Sequence, residues 1–211
     1  MPEIKYAIFD IGQTIYPFTL QPLITHMQRE TTEPKVFARN HSPRFYDYNP
    51  YMKGEMTDVE FAEELCFFCR VPYNENRLQE INTALHQGCG ERFSETLKAI
   101  NLLRQHGTNI SLLSNALPLL ADTGTDITKP DLVFTSYNLG LLKPDTAIFQ
   151  TVLNKLNTAP EQTLFLDDKK ANVEAAQSLG MNGIVYHPKT VLKELATYLQ
   201  PHSTLSRSRE A

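Results

Sequence analysis

The sequence predicts an α/β fold, a doubly wound parallel sheet interrupted after its first strand by an all-helical insert. Three observations carry this. Lys5–Thr14 (KYAIFDIGQT) contains a short apolar run, Tyr6 to Phe9, that stops at Asp10 and Gly12, as a buried central strand does. From Leu20 to Gly88 the pattern is helical, with no convincing strand. From Asn109 onward, short apolar segments alternate with helical ones, which requires βαβ crossovers and a parallel sheet.

Taken in order, the first strand is Tyr6–Phe9, and Gly12 permits a sharp turn behind it. Ile15–Phe18 contains Pro17, so it reads as a small edge hairpin or irregular flap. Leu20 to about Ala38 reads as one helix, and Asn40–Pro50, with two prolines and several aromatics, as a loop. Thr57-Asp-Val-Glu60 is a capping box, followed by Phe61, Leu65 and Phe68 on one helix face. Asn74 is the expected cap of the next helix, whose stripe is Leu78, Ile81 and Leu85. Further strands are expected at Asn109–Ser114, Leu132–Thr135, Leu164–Asp167 and Ile184–Tyr186. Helices are expected at Ser94–His106, ending at Gly107, at Thr146–Leu156, and at Ala171–Leu179, ending at Gly180. The expected division is a core of residues 1–18 and 89–200, a helical domain at 19–88, and a disordered tail at 201–211 that has no apolar face.

The 211 residues suffice for one α/β domain with an insert. A net charge of −4 provides no basic field for nucleic acid or a membrane surface. No apolar run is long enough to span a bilayer, and Met1–Lys5 lacks the basic-then-apolar pattern of a secretory signal. A cytoplasmic monomer or homodimer is the expectation. Cys66, Cys69 and Cys89 are an odd number of thiols, which argues for free cysteines. The CxxC formed by the first two lies in a helical pattern and suits core packing better than a metal.

Four strand ends carry the chemistry. The first offers Asp10, the second Ser114-Asn115, and the fourth Asp167-Asp168; Lys143-Pro144 follows the third, ahead of a helix that Asp145 caps. In a parallel sheet the carboxyl ends share one crevice, so residues far apart in sequence converge there. Taken singly, each has a plainer reading as a turn, a helix cap or a surface charge. Together they supply a carboxylate nucleophile, a hydroxyl donor, a fixed cation and paired acids for a hard metal, the parts that phosphoryl transfer through an aspartyl-phosphate needs.

The segments AIFDIGQTI, ISLLSNA, TSYNLGLLKPDTAIFQTVL and TLFLDDKKANVEAAQSLGMNGIVY resemble the haloacid dehalogenase-like hydrolases. The resemblance is to their subgroup with a helical cap inserted after the first strand, and MKGEMTDVEFAEEL looks like the entry to such a cap. It implies a Rossmann-like core, a mobile helical cap and Mg²⁺-dependent phosphatase chemistry. Carried over by position, Asp10 would attack phosphorus and bind Mg²⁺ together with the Gly12 carbonyl and Asp168, with Asp167 acting directly or through water. Ser114 would hold a phosphoryl oxygen, the Asn115 backbone would add a donor, and Lys143 would neutralise Asp10 and the phosphoryl group.

One position departs from that pattern. Most phosphatases of this family carry a second Asp two residues after the nucleophile, as general acid and base; here Gly12 stands there, followed by Gln13. That role contributes on the order of 10²–10⁴-fold in rate. The expected function is hydrolysis of a small phosphorylated metabolite such as a sugar phosphate, with a leaving group that needs little protonation. The alternatives are a catalytically weak or silent binding protein of the same fold and, disfavoured by Asp167-Asp168, a metal-free 2-haloacid dehalogenase. Substrate contacts are expected from Tyr16 and Phe18 of the flap and from Arg44, Tyr46, Tyr48 and Tyr51, although aromatics so spaced also pack small helical bundles.

Overall fold

The computed structural model describes residues 3–123, 125 and 129–199. The strands are short because each is a buried apolar run cut off by polar residues. The first strand, β1 (Tyr6–Phe9), has Ala7, Ile8 and Phe9 fully enclosed. It is followed by α1 (Gln21–Glu30), α2 (Asn49–Met52), α3 (Asp58–Phe68), α4 (Arg77–Gln87) and α5 (Ser94–Gln105), without another strand. Alternation then sets in: β2 (Asn109–Ser114), β3 (Leu132–Thr135), α6 (Ser136–Leu139), α7 (Thr146–Leu156), β4 (Thr163–Asp167), α8 (Lys170–Ser178), β5 (Asn182–Val185) and α9 (Val191–Tyr198).

The five strands form one parallel sheet in the order β3-β2-β1-β4-β5, so β1 lies in the middle. Because side chains alternate across a strand, β1 feeds two cores. Ala7 and Phe9 pack with Ile110, Leu112, Leu164 and Leu166 under α5 and α9. Ile8 packs with Leu113 and Phe165 against α7 and α8. Helices therefore cover both faces, as a parallel sheet requires, and the predicted doubly wound architecture is observed.

The helices between β1 and α5 hold a third apolar cluster, built on Leu23, Met27, Phe61, Leu65, Ile81 and Leu85. The capping box of α3 is formed: Thr57 N–H donates to Glu60 Oε2 at 2.7 Å, and Glu60 N–H donates to Thr57 Oγ1 at 3.2 Å. Cys66 and Cys69 lie inside this cluster as free thiols, and burial pushes them up to about 11 and about 12.

Three local expectations need correction. The helix expected from Leu20 to Ala38 ends at Glu30. Thr31 is extended there, its hydroxyl donating to the Cys69 carbonyl at 2.9 Å, and Pro34 has no N–H with which to continue the ladder. A helical turn at Pro34–Val36 and a π-turn at Phe37–His41 follow instead. The expected loop at Asn40–Pro50 contains a 3-10 turn, Pro43–Phe45, and the start of α2. Each proline there stands at the first or second helical position, where its missing N–H is harmless. Asn74 is not the cap of α4: its side chain accepts from Asn76 N–H at 2.9 Å, so it forms the turn ahead of the helix. Helix α9, which periodicity did not reveal, buries Val191 and Leu195. The tail expected to be disordered, residues 201–211, lies outside the described residues. Among those described, no helix is long and apolar enough to cross a membrane.

Candidate functional site

The sheet sets the position of the nucleophile candidate. Asp10 still donates its N–H to the Leu166 carbonyl at 2.8 Å, so it leaves β1 in register with β4. Behind it the chain folds into a tight flap. Gln13 takes positive φ (61°), its N–H bonds the Tyr16 carbonyl, and its side-chain amide donates to the Phe18 carbonyl at 2.7 Å. This is the irregular flap expected from Pro17, closed on itself by a bridge at Gly12–Tyr16 and joined to the rest by a bridge at Phe18–Cys89 and by N–H bonds from Gly90 and Phe93 to the Pro17 and Ile15 carbonyls.

Lys143 is the hub. Its ammonium, almost fully buried, donates to Asp10 Oδ1 at 2.6 Å, to Asp167 Oδ2 at 2.7 Å and to the Leu113 carbonyl at 2.7 Å. An ammonium has three N–H donors, and all are engaged. The Phe165 ring lies beneath it, 5.3 Å from Nζ to centroid. Lys143 is therefore built to face Asp10 and Asp167; any effect on a phosphoryl group acts through its charge.

Two asparagines complete the frame. The resemblance assigns Asn115 a backbone role, and the structure adds a part for its side chain. Its Nδ2 donates to the Lys143 carbonyl at 2.8 Å, and its Oδ1 accepts from Lys143 N–H at 2.9 Å. Asn172, in the first turn of α8, donates to Asp167 Oδ2 at 2.9 Å, and Lys169 N–H donates to Asp167 Oδ1 at 2.8 Å. With Lys143 these bonds occupy both oxygens of Asp167, which orients the site more than it offers a free ligand. Nothing in the sequence singles out Asn172, which has the spacing of an ordinary helix residue.

Asp10, Asp167 and Asp168 each present an oxygen within 4.8 Å of the others. Three carboxylates against one buried ammonium are poorly balanced, and the titration of Asp10 reflects it. Burial, then the neighbouring Asp167 and Asp168, raise its carboxyl to about 6 against the pull of Lys143. Burial and Asp167 likewise hold Asp168 above the usual carboxylate range. On Lys143, burial acts downward, but Asp10 and Asp167 outweigh it and hold the ammonium charged. A clustered, under-neutralised oxygen set is the donor chemistry that Mg²⁺ takes. The residues present therefore fit that ion, with Asp10 and Asp168 as the oxygens least encumbered.

These groups form one end of a cavity of about 370 Å³. Asp10, Gly12, Ser114, Asn115, Lys143, Asp167 and Asp168 all line it, as do Tyr16 and Phe18. Tyr48 reaches it, and so does Met52, which no pattern in the sequence marks. Thr135, paired with Ser114 in register, lines it with a buried hydroxyl that has no hydrogen-bond partner among the described residues. Arg44 and Tyr46, expected to face the site, do not line it. Arg44 is exposed on its 3-10 turn, and the Tyr46 hydroxyl donates to Glu64 at 3.2 Å while its ring packs edge-on against Tyr48, Phe61 and Phe68. Tyr51 is also drawn inward, stacked on Phe61 with centroids 4.0 Å apart.

The family model described as haloacid dehalogenase-like hydrolase matches residues 4–180. The chain is 37% identical over 200 residues to drimenol cyclase drtB of Aspergillus calidoustus, covering 92% of this chain and 36% of the cyclase. It is 43% identical over 54 residues to sesquiterpene phosphatase astK of Aspergillus oryzae, covering 26% of this chain and 28% of that protein. The chain thus spans about a third or less of these two curated relatives. Among solved structures, a HAD family enzyme of Bacteroides thetaiotaomicron, in complex with magnesium and inorganic phosphate, superposes with a TM-score of 0.71. That likeness is at 18% identity and covers 88% of this chain and 95% of the other; it concerns the fold.

Proposed function

Because this chain belongs to the haloacid dehalogenase-like hydrolases, we propose that it is a Mg²⁺-dependent phosphomonoesterase working through an aspartyl-phosphate on Asp10. The observation that carries the proposal is the buried Asp10–Lys143–Asp167 chain of hydrogen bonds at the floor of a cavity that Ser114 also lines. A relative named as a phosphatase and a fold neighbour holding magnesium and phosphate support it.

In this reading Asp10 attacks phosphorus in line with the departing oxygen. Lys143 fixes the rotamer of Asp10 through Oδ1 and keeps it ionised. The Ser114 hydroxyl and backbone N–H groups of the flap hold phosphoryl oxygens that gain charge in the transition state. Asp10, Asp168 and the Gly12 carbonyl would hold Mg²⁺, with Asp167 beside them, and the ion would supply charge neutralisation there. The leaving oxygen finds no carboxyl group at position 12, so esters of good leaving groups react best. The helices from Gln21 to Gln87 act as the cap that closes over the substrate and excludes water. Turnover of p-nitrophenyl phosphate that requires Mg²⁺ and falls by on the order of 10⁴-fold in Asp10→Asn is the expected result; turnover equal in the two proteins would refute the assignment.

Gly12 favours a second reading, a phosphate-binding protein with little or no activity. Calorimetric binding of inorganic phosphate by a protein that hydrolyses no phosphoester would select it.

A further inference from the structure

The cavity has two chemically different parts. Its polar groups are gathered at the strand ends. The rest of its described lining includes Phe18, Leu20, Tyr48, Met52, Leu117 and Leu120. These six are contiguous, since each belongs to, or packs against, the apolar cluster formed by the helices that follow β1. The Tyr48 hydroxyl already donates its proton to the Pro43 carbonyl at 2.9 Å, so it has no donor left for a ligand. Arg44 and Tyr46, which would have suited a sugar or a second phosphate, are turned elsewhere. Along this apolar stretch a polyhydroxylated substrate would lose hydration against side chains that offer few hydrogen bonds, at a cost for every hydroxyl left unpaired.

We infer that the substrate is the phosphate monoester of an extended, apolar alcohol, whose hydrocarbon chain lies along Phe18, Tyr48, Met52, Leu117 and Leu120 while its phosphoryl group meets Asp10. The inference rests on the phosphatase reading for the phosphoryl end and adds the class of the organic part. The volume of about 370 Å³ is that of a small-molecule site, room for a chain much longer than ethyl. Burial of each methylene is worth about fourfold in binding, so a chain that fills the apolar part gains several orders of magnitude over inorganic phosphate.

The test is calorimetric binding of ethyl-, hexyl- and decylphosphonate, and of glucose 1-phosphate, to the full chain with Mg²⁺. Affinity should climb steeply with chain length, by about fourfold per methylene until the cavity is full, and glucose 1-phosphate should bind no tighter than ethylphosphonate. Met52→Asp and Leu120→Asp should each flatten the climb. A profile independent of chain length, or a sugar phosphate that outcompetes decylphosphonate, overturns the inference. Since the phosphonates are non-hydrolysable, a steep climb in a protein without turnover would still support the apolar site while removing the phosphatase reading. Turnover with a flat profile would do the reverse.

Discussion

At the strand ends of the cavity, Lys143, Asp10, Asp167, Asn115 and Asn172 form a closed set in which donors meet acceptors at 2.6–2.9 Å. Elsewhere in the same lining, Phe18, Leu20, Met52 and Leu117 present apolar side chains. The first region is rigid because moving one member leaves a buried charge without its partner. The second has no such penalty and can change shape with little cost, as apolar packing tolerates rearrangement better than a charge network does. In the proposed reading, reaction type is set in one place and ligand choice in another, and the two can be tested separately.

Replacing the hub should have the largest effect. Lys143→Met leaves Asp10 and Asp167 facing each other in a buried site, and unfolding in urea should show a loss of about 3–5 kcal/mol. Turnover should also fall by on the order of 10²–10³-fold. Loss of turnover without loss of stability would mean that the network is looser than its distances suggest.

Gly12→Asp sharpens the comparison from the other side. A Cβ at Gly12 would meet nothing within 4 Å, and its backbone is not in the left-handed region, so the new side chain starts in open space. Hydrolysis of an alkyl phosphate, whose leaving oxygen needs a proton, should rise by on the order of 10²-fold. The p-nitrophenyl ester should change far less. Equal changes would mean that proton donation is already provided elsewhere.

The pH dependence comes next. A nucleophile must be ionised, so in low Mg²⁺ kcat/KM should fall about tenfold per unit below pH 6, the range to which burial raises Asp10. Saturating Mg²⁺ should move this limb to lower pH. Stability should run the opposite way. A carboxyl group whose folded pKa lies above its unfolded value contributes stability below about pH 4 that is lost as pH rises through about 6. In thermal melts without metal, wild type should therefore lose ground to Asp10→Asn across that window.

The smallest effect belongs to a residue on neither side. Arg44 is exposed and away from the cavity, and Arg44→Ala should change kcat/KM by less than about twofold and stability by less than about 0.5 kcal/mol. A large loss would bring the 3-10 turn of Pro43–Phe45 back into the site.

The same division explains what the sequence disclosed. Strands such as Tyr6–Phe9 are legible because a strand buried on both faces is continuously apolar, and a polar residue at its end projects where topology sends it. Asp10, Ser114 and Asp167 could be placed on that basis without knowing a single contact. Asn172 and the side chain of Asn115 could not, since their work is to bond atoms brought near by the fold. Met52 and the true places of Arg44 and Tyr46 were hidden for a related reason. They lie in a stretch of short turns set by prolines at 34, 43 and 50, where no long period records which way a side chain points. The break after Glu30 depends on Thr31 finding the Cys69 carbonyl, a contact between distant segments.

The paired bonds between Asn115 and the main chain of Lys143 tie the exit of β2 to the turn before α7. Ser114, next along the chain, is thereby yoked to the ammonium, so hydroxyl and cation travel as a single piece. Should the helices over the cavity swing open and shut, the spacing between those two groups would not need to be re-established on each cycle.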